Sequence, residues 1–337
     1  MKCADYILFR NSIVELKSLL QDEKVFVIID RKVEALYGFE FPYRKVYVDA
    51  AEEGKTLETV SYIVSELLRL EADRDCLLVG IGGGIVTDIT GFVAAIYKRG
   101  VRYALIPTSL LAMVDAAIGG KTGINFNNYK NILGVFSTPE FVYDCSYFLK
   151  TLPERDFLCG AAEMLKIFLI TSGAQFRRAV KFFSENKQFD FDSKEELESL
   201  ILKAVKAKCK IVDADFKEKG SRRVLNLGHT FAHGIEHAGV EGISHGEAVS
   251  IGTVMAAKIA CKLDYCSEKC VRQIISAFEK VGLPTATDIN VNLLFEAIEK
   301  DKKRENDTIH FVMPTSIGSV RVEQISIKQL KGLAQGL

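Results

Sequence analysis

Two periods of hydrophobic and polar residues alternate along the first 150 positions, and one of them takes over afterwards. Lys24 to Asp30 (KVFVIID) is a short apolar run that ends in an acid, and Arg44 to Asp49 (RKVYVD) repeats that shape with alternation, so both predict strands. From Lys55 to Leu70, Leu57, Val60, Ile63, Val64, Leu67 and Leu68 recur at spacings of three and four, which predicts an amphipathic helix. Cys76 to Ile81 (CLLVGI) has the composition of a buried strand and runs straight into Gly82, Gly83 and Gly84; an apolar helix begins near Ile85, and Val101 to Ile106 is the next strand. Strands that alternate with helices imply a largely parallel α/β sheet. Thr151-Leu152-Pro153 reads as a hinge: beyond it no proline occurs until Pro284 and the period is helical almost throughout, with a strand-like IHFVMP near the end.

Chemistry concentrates at a few places in this frame. The triple glycine stands between a strand and a helix, where backbone N–H groups can meet a pyrophosphate, although glycines there also simply permit a tight turn. Asp88 then lies in the first turn of an otherwise apolar helix, as a ligand contact or as a partner for the helix dipole. Pro107-Thr108-Ser109 offers hydroxyls at a strand-to-helix turn, and the helix after it is apolar except for Asp115. Gly119 to Asn125 and the Lys130-Asn131 pair project two lysines and two asparagines from what reads as a glycine-rich loop.

Leu225 to Glu247 holds four of the five histidines. His229, His233 and His237 stand four apart and would share one side of a helix, with His245 across a Gly-containing loop. Neutral imidazoles among apolar helices suit Zn²⁺, but an oxygen or sulfur ligand is still missing. Gly160 to Thr171 (GAAEMLKIFLIT) has only two charges, Glu163 and Lys166, three apart on one face; they make either a structural ion pair or, through the carboxylate, the missing ligand. On the helix from Glu195 to about Asp213, Lys208 falls on the apolar stripe, so it either snorkels at the edge of a core or aims its ammonium at a bound anion, in which case it contributes little to folding.

At 337 residues and 48% apolar the chain can fill two cores. Lysine plus arginine equals aspartate plus glutamate at 44 each, so no overall field favours nucleic acid or an anionic membrane, and anions must be bound by local arrangements. The charged start MKCADYILFR does not form a signal peptide and no run has the length of a membrane span, which places the protein in the cytoplasm. Eight scattered cysteines without a C-x-x-C pair fit reduced core thiols.

As a set these residues resemble the 3-dehydroquinate synthases of the sugar-phosphate cyclase group. The resemblance rests on GGGIVTDITGFVAAIYKRG, IPTSLLAMVDAAIGGKTGIN, KNILGVF, TLPERDF, AEMLK, RRVLNLGHTF, SHGEAV and DKK, which cover most of the length. Where the family usually has PTT, GHA and a glycine before the KN pair, this chain has Pro107-Thr108-Ser109, Ala232-His233-Gly234 and Tyr129. The resemblance implies a Rossmann-like NAD-binding α/β domain over 1–150 and a mostly α-helical metal- and substrate-binding domain over 151–337. It implies catalytic NAD⁺ and one Zn²⁺ or Co²⁺, a sugar-phosphate substrate, a homodimer, and a lyase that turns 3-deoxy-D-arabino-heptulosonate 7-phosphate into 3-dehydroquinate and phosphate. Glu163, His229 and His245 become the metal ligands, and His233 moves to the substrate side. Asp115, Lys121, Lys130, Asn131, Lys166, Lys208, Arg222, Asn226 and one of Lys302 and Lys303 match the substrate pocket, and Arg99 matches an arginine that reaches a neighbouring subunit. Asp30, Lys55, Gly83, Gly84, Asp88, Thr108, Ser109, Phe148, Thr151 and Leu152 match cofactor positions, which Lys121 and Lys130 share.

Two other enzymes fit parts of the pattern. A sister cyclase would act on a sugar phosphate without the carboxylate, against which Arg222 and the GGKTG segment argue. An iron-type polyol dehydrogenase also joins a GGG turn to a helical metal domain, but it would release NADH and need fewer cations. A silent scaffold would have no reason to keep every candidate acid, base and ligand.

Overall fold

Six apolar runs pair side by side in parallel. They are β1 (Ile7–Phe9), β2 (Val25–Asp30), β3 (Arg44–Val48), β4 (Leu77–Gly82), β5 (Arg102–Pro107) and β8 (Phe141–Asp144), in the order β1-β8-β5-β4-β2-β3. The computed structural model describes residues 2–10, 12–21, 23–127, 129–238, 242–302 and 308–337, without the side chains of 300–302. All six residues of β2 and of β4 are buried, which is why both read as unbroken apolar runs rather than alternating ones. Helices α1 (Ile13–Leu20), α2 (Arg31–Tyr37), α3 (Leu57–Arg69) and α4 (Gly84–Ile96) connect the strands. Thr56 caps α3 by accepting from the Thr59 amide, and the helix buries Val60, Ile63 and Leu67; Leu57 and Leu68 are exposed, so the buried stripe is narrower than the sequence suggested.

The strand order creates a switch point. After β2 the chain moves to β3 on one side, and after β4 it moves to β5 on the other, so a crevice opens at the carboxyl ends of β2 and β4, the usual place for a ligand in such sheets. Glycine-rich 119–131 is not a loop. It forms an antiparallel hairpin, β6 (Lys121–Phe126) and β7 (Tyr129–Phe136), in which Gly123 packs so close that a Cβ would lie 2.8 Å from the Leu133 carbonyl oxygen. Glycines that read as flexibility are here a condition of close strand approach.

The chain separates into two compact units, one of residues 1–152 with 208–213 and the other of 153–207 with 214–337. The second is mostly helical: α5 (Glu154–Thr171), α6 (Gly173–Glu185), α7 (Lys194–Ala214), α8 (His229–His237), α9 (His245–Lys262), α10 (Glu268–Val281), α11 (Val291–Lys302) and α12 (Ile327–Ala334), with one hairpin of β9 (Thr308–Ser316) and β10 (Ser319–Ser326). The last turn of α7 counts with the first unit. Helix α5 buries every residue from Cys159 to Ile170, as expected of a helix that is apolar all round. Two glycines allow α9 to come equally close to its neighbours: a Cβ on Gly246 would lie 2.5 Å from Cys159 Cα, and one on Gly252 would lie 2.2 Å from the Gly228 oxygen. Among the described residues no helix is long and apolar enough to cross a membrane. All eight cysteines are free thiols, and six of them are buried.

Candidate active site

Two of the histidines are placed by helix starts. Gly228 takes a left-handed conformation (φ 79°) that puts His229 first in α8, and a Ser244–Glu247 capping box puts His245 first in α9. Glu163 comes from the middle of α5 and is fully buried. Ligand atoms of Glu163, His229 and His245 all lie within 4.8 Å of one another. Glu163 Oε1 is 3.7 Å from His229 Nε2 and 3.3 Å from His245 Nε2. The other ring nitrogens turn outward: His229 Nδ1 faces the Leu227 oxygen at 3.3 Å, and His245 Nδ1 faces Glu236 Oε1 at 3.2 Å. Lys166 Nζ approaches Glu163 Oε2 to 2.5 Å, but not along a hydrogen-bonding direction, so neither Glu163 oxygen receives a hydrogen bond.

A buried carboxylate that accepts nothing while three nitrogens converge on it is unsatisfied, and Glu163 with His229 and His245 has the donor set and the spacing of a three-ligand metal site. The charges agree. Burial pushes the Glu163 carboxyl up, but Lys166, His245 and His229 outweigh it and hold the group well below its ordinary range. Burial together with Lys166 keeps the His229 imidazole well below its usual value, hence neutral. Burial also lowers His245, yet the Glu163 and Glu236 carboxylates that face its two ring nitrogens raise it to about 10, so the imidazole nearest Glu163 carries a proton in the protein alone.

His233 lies beside this set, its ring centroid 5.4 Å from that of His229. His237 does not join: its Nδ1 donates to the His233 carbonyl at 2.7 Å, so the four-residue spacing of the three histidines is not the spacing of the convergent set. Arg222 is buried; its amide donates to Asp215 Oδ2 and its guanidinium to the Phe216 carbonyl. Asn226 Nδ2 donates to Glu218 Oε1 at 2.6 Å. Lys302 closes α11, but its side chain, like the whole of Lys303, lies outside the described residues. Glu218 and Glu236 are two acids that the sequence analysis did not single out. Glu236 carried a signal, since it follows His229 by seven positions and so shares its helix face; Glu218 sits in an irregular segment where no periodicity points to it.

In the first unit the switch-point crevice is lined by the expected turn. Asp30 ends β2 and caps α2, accepting from the Lys32 amide, and Gly82 and Gly83 lead from β4 into α4. A Cβ on Gly84 would lie 3.0 Å from Ala116 Cβ and one on Gly83 3.4 Å from Ser109 Oγ, so the 108–116 segment packs directly on the glycines. Thr108 donates its amide to the Gly82 oxygen, and Ser109 Oγ accepts from Ala112. The helix expected after Ser109 is instead a short π-turn, Ala112–Ala116, with Asp115 on it.

Asp88 is the fifth residue of α4, one residue past the first turn in which it was expected, and it is not a dipole partner. It pairs with Lys55 Nζ at 2.5 Å, and the same ammonium donates to Asn131 Oδ1. Burial raises the Asp88 carboxyl in spite of Lys55. Lys208 is buried with its Nζ 2.6 Å from Asp115 Oδ1 and 2.7 Å from the Asp115 carbonyl oxygen. It neither snorkels to solvent nor waits for its first anion, which corrects the expectation that it contributes little to folding. Lys121 and Lys130 stand on the hairpin, exposed and half-buried, and Arg99 is exposed with φ 69°. Phe148, Thr151 and Leu152 belong to or follow the 3₁₀ turn Ser146–Thr151; Thr151 Oγ1 is 2.8 Å from the Tyr37 hydroxyl, and Phe148 packs edge-on against the Tyr37 ring.

This geometry agrees with what the chain is similar to. Residues 45–159 match the family described as 3-dehydroquinate synthase N-terminal, and residues 160–304 the one described as 3-dehydroquinate synthase C-terminal. The chain belongs to the 3-dehydroquinate synthase family. Relatives of that name from Pyrococcus furiosus and Campylobacter fetus subsp. fetus are each 40% identical, the first over 94% of this chain and 94% of its own length, the second over 90% and 89%. Among solved structures, a 2-epi-5-epi-valiolone synthase from Streptomyces hygroscopicus subsp. jinggangensis with NAD⁺ and Zn²⁺ bound superposes with a TM-score of 0.88 at 25% identity, covering 97% of this chain and 94% of that one. Family membership thus joins the resemblance read from the motifs to an α/β sheet unit and a helical unit.

Proposed function

We propose that the protein converts 3-deoxy-D-arabino-heptulosonate 7-phosphate into 3-dehydroquinate and phosphate, as a phosphate-eliminating lyase that uses NAD⁺ catalytically and one divalent metal ion. The observation that carries this reading is the fully buried Glu163 facing His229 and His245 in a chain of this family. Support for NAD⁺ comes from the switch-point crevice with its Asp30 and glycine turn, and from the NAD⁺ and Zn²⁺ of the valiolone synthase. Bound at the Gly82–Gly84 turn, NAD⁺ would supply reversible hydride chemistry at a ring carbinol C–H whose hydroxyl gives up its proton, and a divalent ion held by Glu163, His229 and His245 would supply positive charge beside the reacting oxygens.

The remaining steps belong to side chains. Oxidation of one carbon to a ketone acidifies the neighbouring C–H, so that phosphate can leave once its charge is matched. We assign Lys121, Lys130, Asn131, Lys166, Arg222, Asn226 and His233 to binding the phosphate, carboxylate and hydroxyls, in which preorganised cations and amides stabilise developing charge. Lys208, already held by Asp115, is assigned the same role with a fixed direction. Residues 1–150 carry the cofactor in this reading and 151–337 the metal, and exposed Arg99 reaches the phosphate site of a second copy in a homodimer. The assay is phosphate release from the heptulosonate phosphate with substoichiometric NAD⁺: turnover without net NADH is expected. Stoichiometric NADH from a simple polyol would overturn the reading in favour of a dehydrogenase, and turnover of a carboxylate-free sugar phosphate alone in favour of a sister cyclase.

A further inference from the structure

We propose that Glu236 is a positioning residue whose carboxylate holds His245 by its Nδ1–H and so fixes the ring with its Nε2 lone pair directed at the metal site. This rests on the metal reading of Glu163, His229 and His245. It is carried by an asymmetry in how the two histidines are supported. His229 turns its Nδ1 to a backbone carbonyl, that of Leu227, an acceptor supplied by the fold whatever side chain stands there. His245 turns its Nδ1 to a carboxylate, Glu236 Oε1 at 3.2 Å, which only this side chain supplies.

The helix explains the arrangement. Glu236 follows His229 by seven residues on α8, so the two lie on one face about two turns apart. Helix α8 therefore delivers one ligand at its start and the support for the other ligand further on, while His245 enters from the first turn of α9 with Nε2 toward Glu163 and Nδ1 toward Glu236. Each ring nitrogen has a carboxylate, and the ring can neither flip nor change tautomer without losing one of them. A solvated helix acid would not be placed so: the Glu236 side chain is only 9% exposed. Charge counting agrees: the Lys166 ammonium already faces Glu163, so the Glu236 carboxylate behind His245 supplies a second negative charge for a divalent cation.

The test measures binding of Co²⁺ and Zn²⁺ to the purified full chain by competition with a chromophoric chelator, together with the d–d spectrum of the Co²⁺ form. Glu236→Ala should weaken metal binding by about 10- to 100-fold and alter the Co²⁺ spectrum. Glu236→Gln, which keeps size and an acceptor oxygen but loses the charge, should fall between Ala and the parent, and excess metal should restore much of its turnover. The Gln variant also carries the test if the Ala protein does not fold. Parent-like affinity and spectrum in both variants would overturn the role of Glu236 while leaving the metal site standing. A parent chain that takes up no stoichiometric Co²⁺, or His229→Ala that binds it unchanged, overturns the metal reading and this inference with it.

Discussion

Two buried clusters of charge, one in each compact unit, are built on opposite plans. In the first unit each of two buried ammonium groups has a carboxylate, Lys55 with Asp88 and Lys208 with Asp115, and each is completed by one more oxygen, that of Asn131 or of the Asp115 backbone. In the second, the Glu163 carboxylate is faced by Lys166, His229 and His245 and yet accepts no hydrogen bond. A matched pair is complete and holds its own segment in place. Several donors converging on one unsatisfied oxygen pair make an arrangement that an added cation completes. Burial and perturbed ionisation are common to both clusters, so they do not mark the candidate metal site; what sets it apart is a buried carboxylate that accepts no hydrogen bond.

The largest effect should come from taking a member out of the convergent cluster. His245→Ala should cut metal affinity by more than about 100-fold, beyond what losing a supporting residue does, and turnover should fall with it. Metal content by mass spectrometry of the dialysed protein is the check, and parent-like content with full activity would break the contrast at once. Next is the pair of Lys208 and Asp115, which we assign to the substrate side. Lys208→Met should lower kcat/KM by about tenfold or more, roughly 1.4 kcal/mol of transition-state stabilisation, and should also lower stability by about 1–3 kcal/mol, because Asp115 loses its ammonium. Lys206→Met, two residues away and exposed, should change neither. If the two variants unfold at the same denaturant concentration, the pair is not structural.

A smaller loss is expected at the cofactor side. Asp88→Asn keeps an acceptor for Lys55 but removes its charge, and it should cost about 1–2 kcal/mol in equilibrium unfolding while raising the Kd for NAD⁺. An unaltered Kd would confine Asp88 to packing. The mildest effect is one of pH. His245 is raised in the folded, metal-free chain from 6.5 to about 10, so its contribution is fully present below pH 6.5 and is lost as pH rises through 10. Melting temperatures of chelator-treated protein should fall over that window, and those of metal-loaded protein should fall less. Parallel curves would mean that proton and ion do not exchange at this ring.

The alternation of periods gave away β2, β3, β4 and β5 to within a residue or so, because buried parallel strands and a capped amphipathic helix leave local traces. What went unseen depends on distance in the chain. The β6–β7 hairpin hid behind its glycines, since close strand approach looks like a loop when only composition is visible. Spacing drew attention to His233 and His237, but the group whose ligand atoms converge is His229, His245 and Glu163, which lies 66 residues before His229, a grouping that family motifs supplied and periodicity could not. The partner of Lys208 was equally invisible, because it lies on a π-turn 93 residues away, and Glu236 was legible only after one asked which face of α8 His229 occupies.

The absence of a side chain at Gly246 fixes a length. A methyl group there would sit 2.5 Å from Cys159 Cα and 2.6 Å from its oxygen, about 1 Å inside ordinary contact, and the backbone on both sides would have to part by about that much. Gly246 adjoins His245, and Cys159 stands one helical turn before Glu163, so the same displacement widens the gap across which an ion is gripped. Coordination distances tolerate about 0.2 Å. If Glu163, His229 and His245 hold the ion as we propose, the ionic radius they accept is set by a hydrogen atom on a neighbouring residue, and an alanine at that position should shift preference from Zn²⁺ toward larger cations.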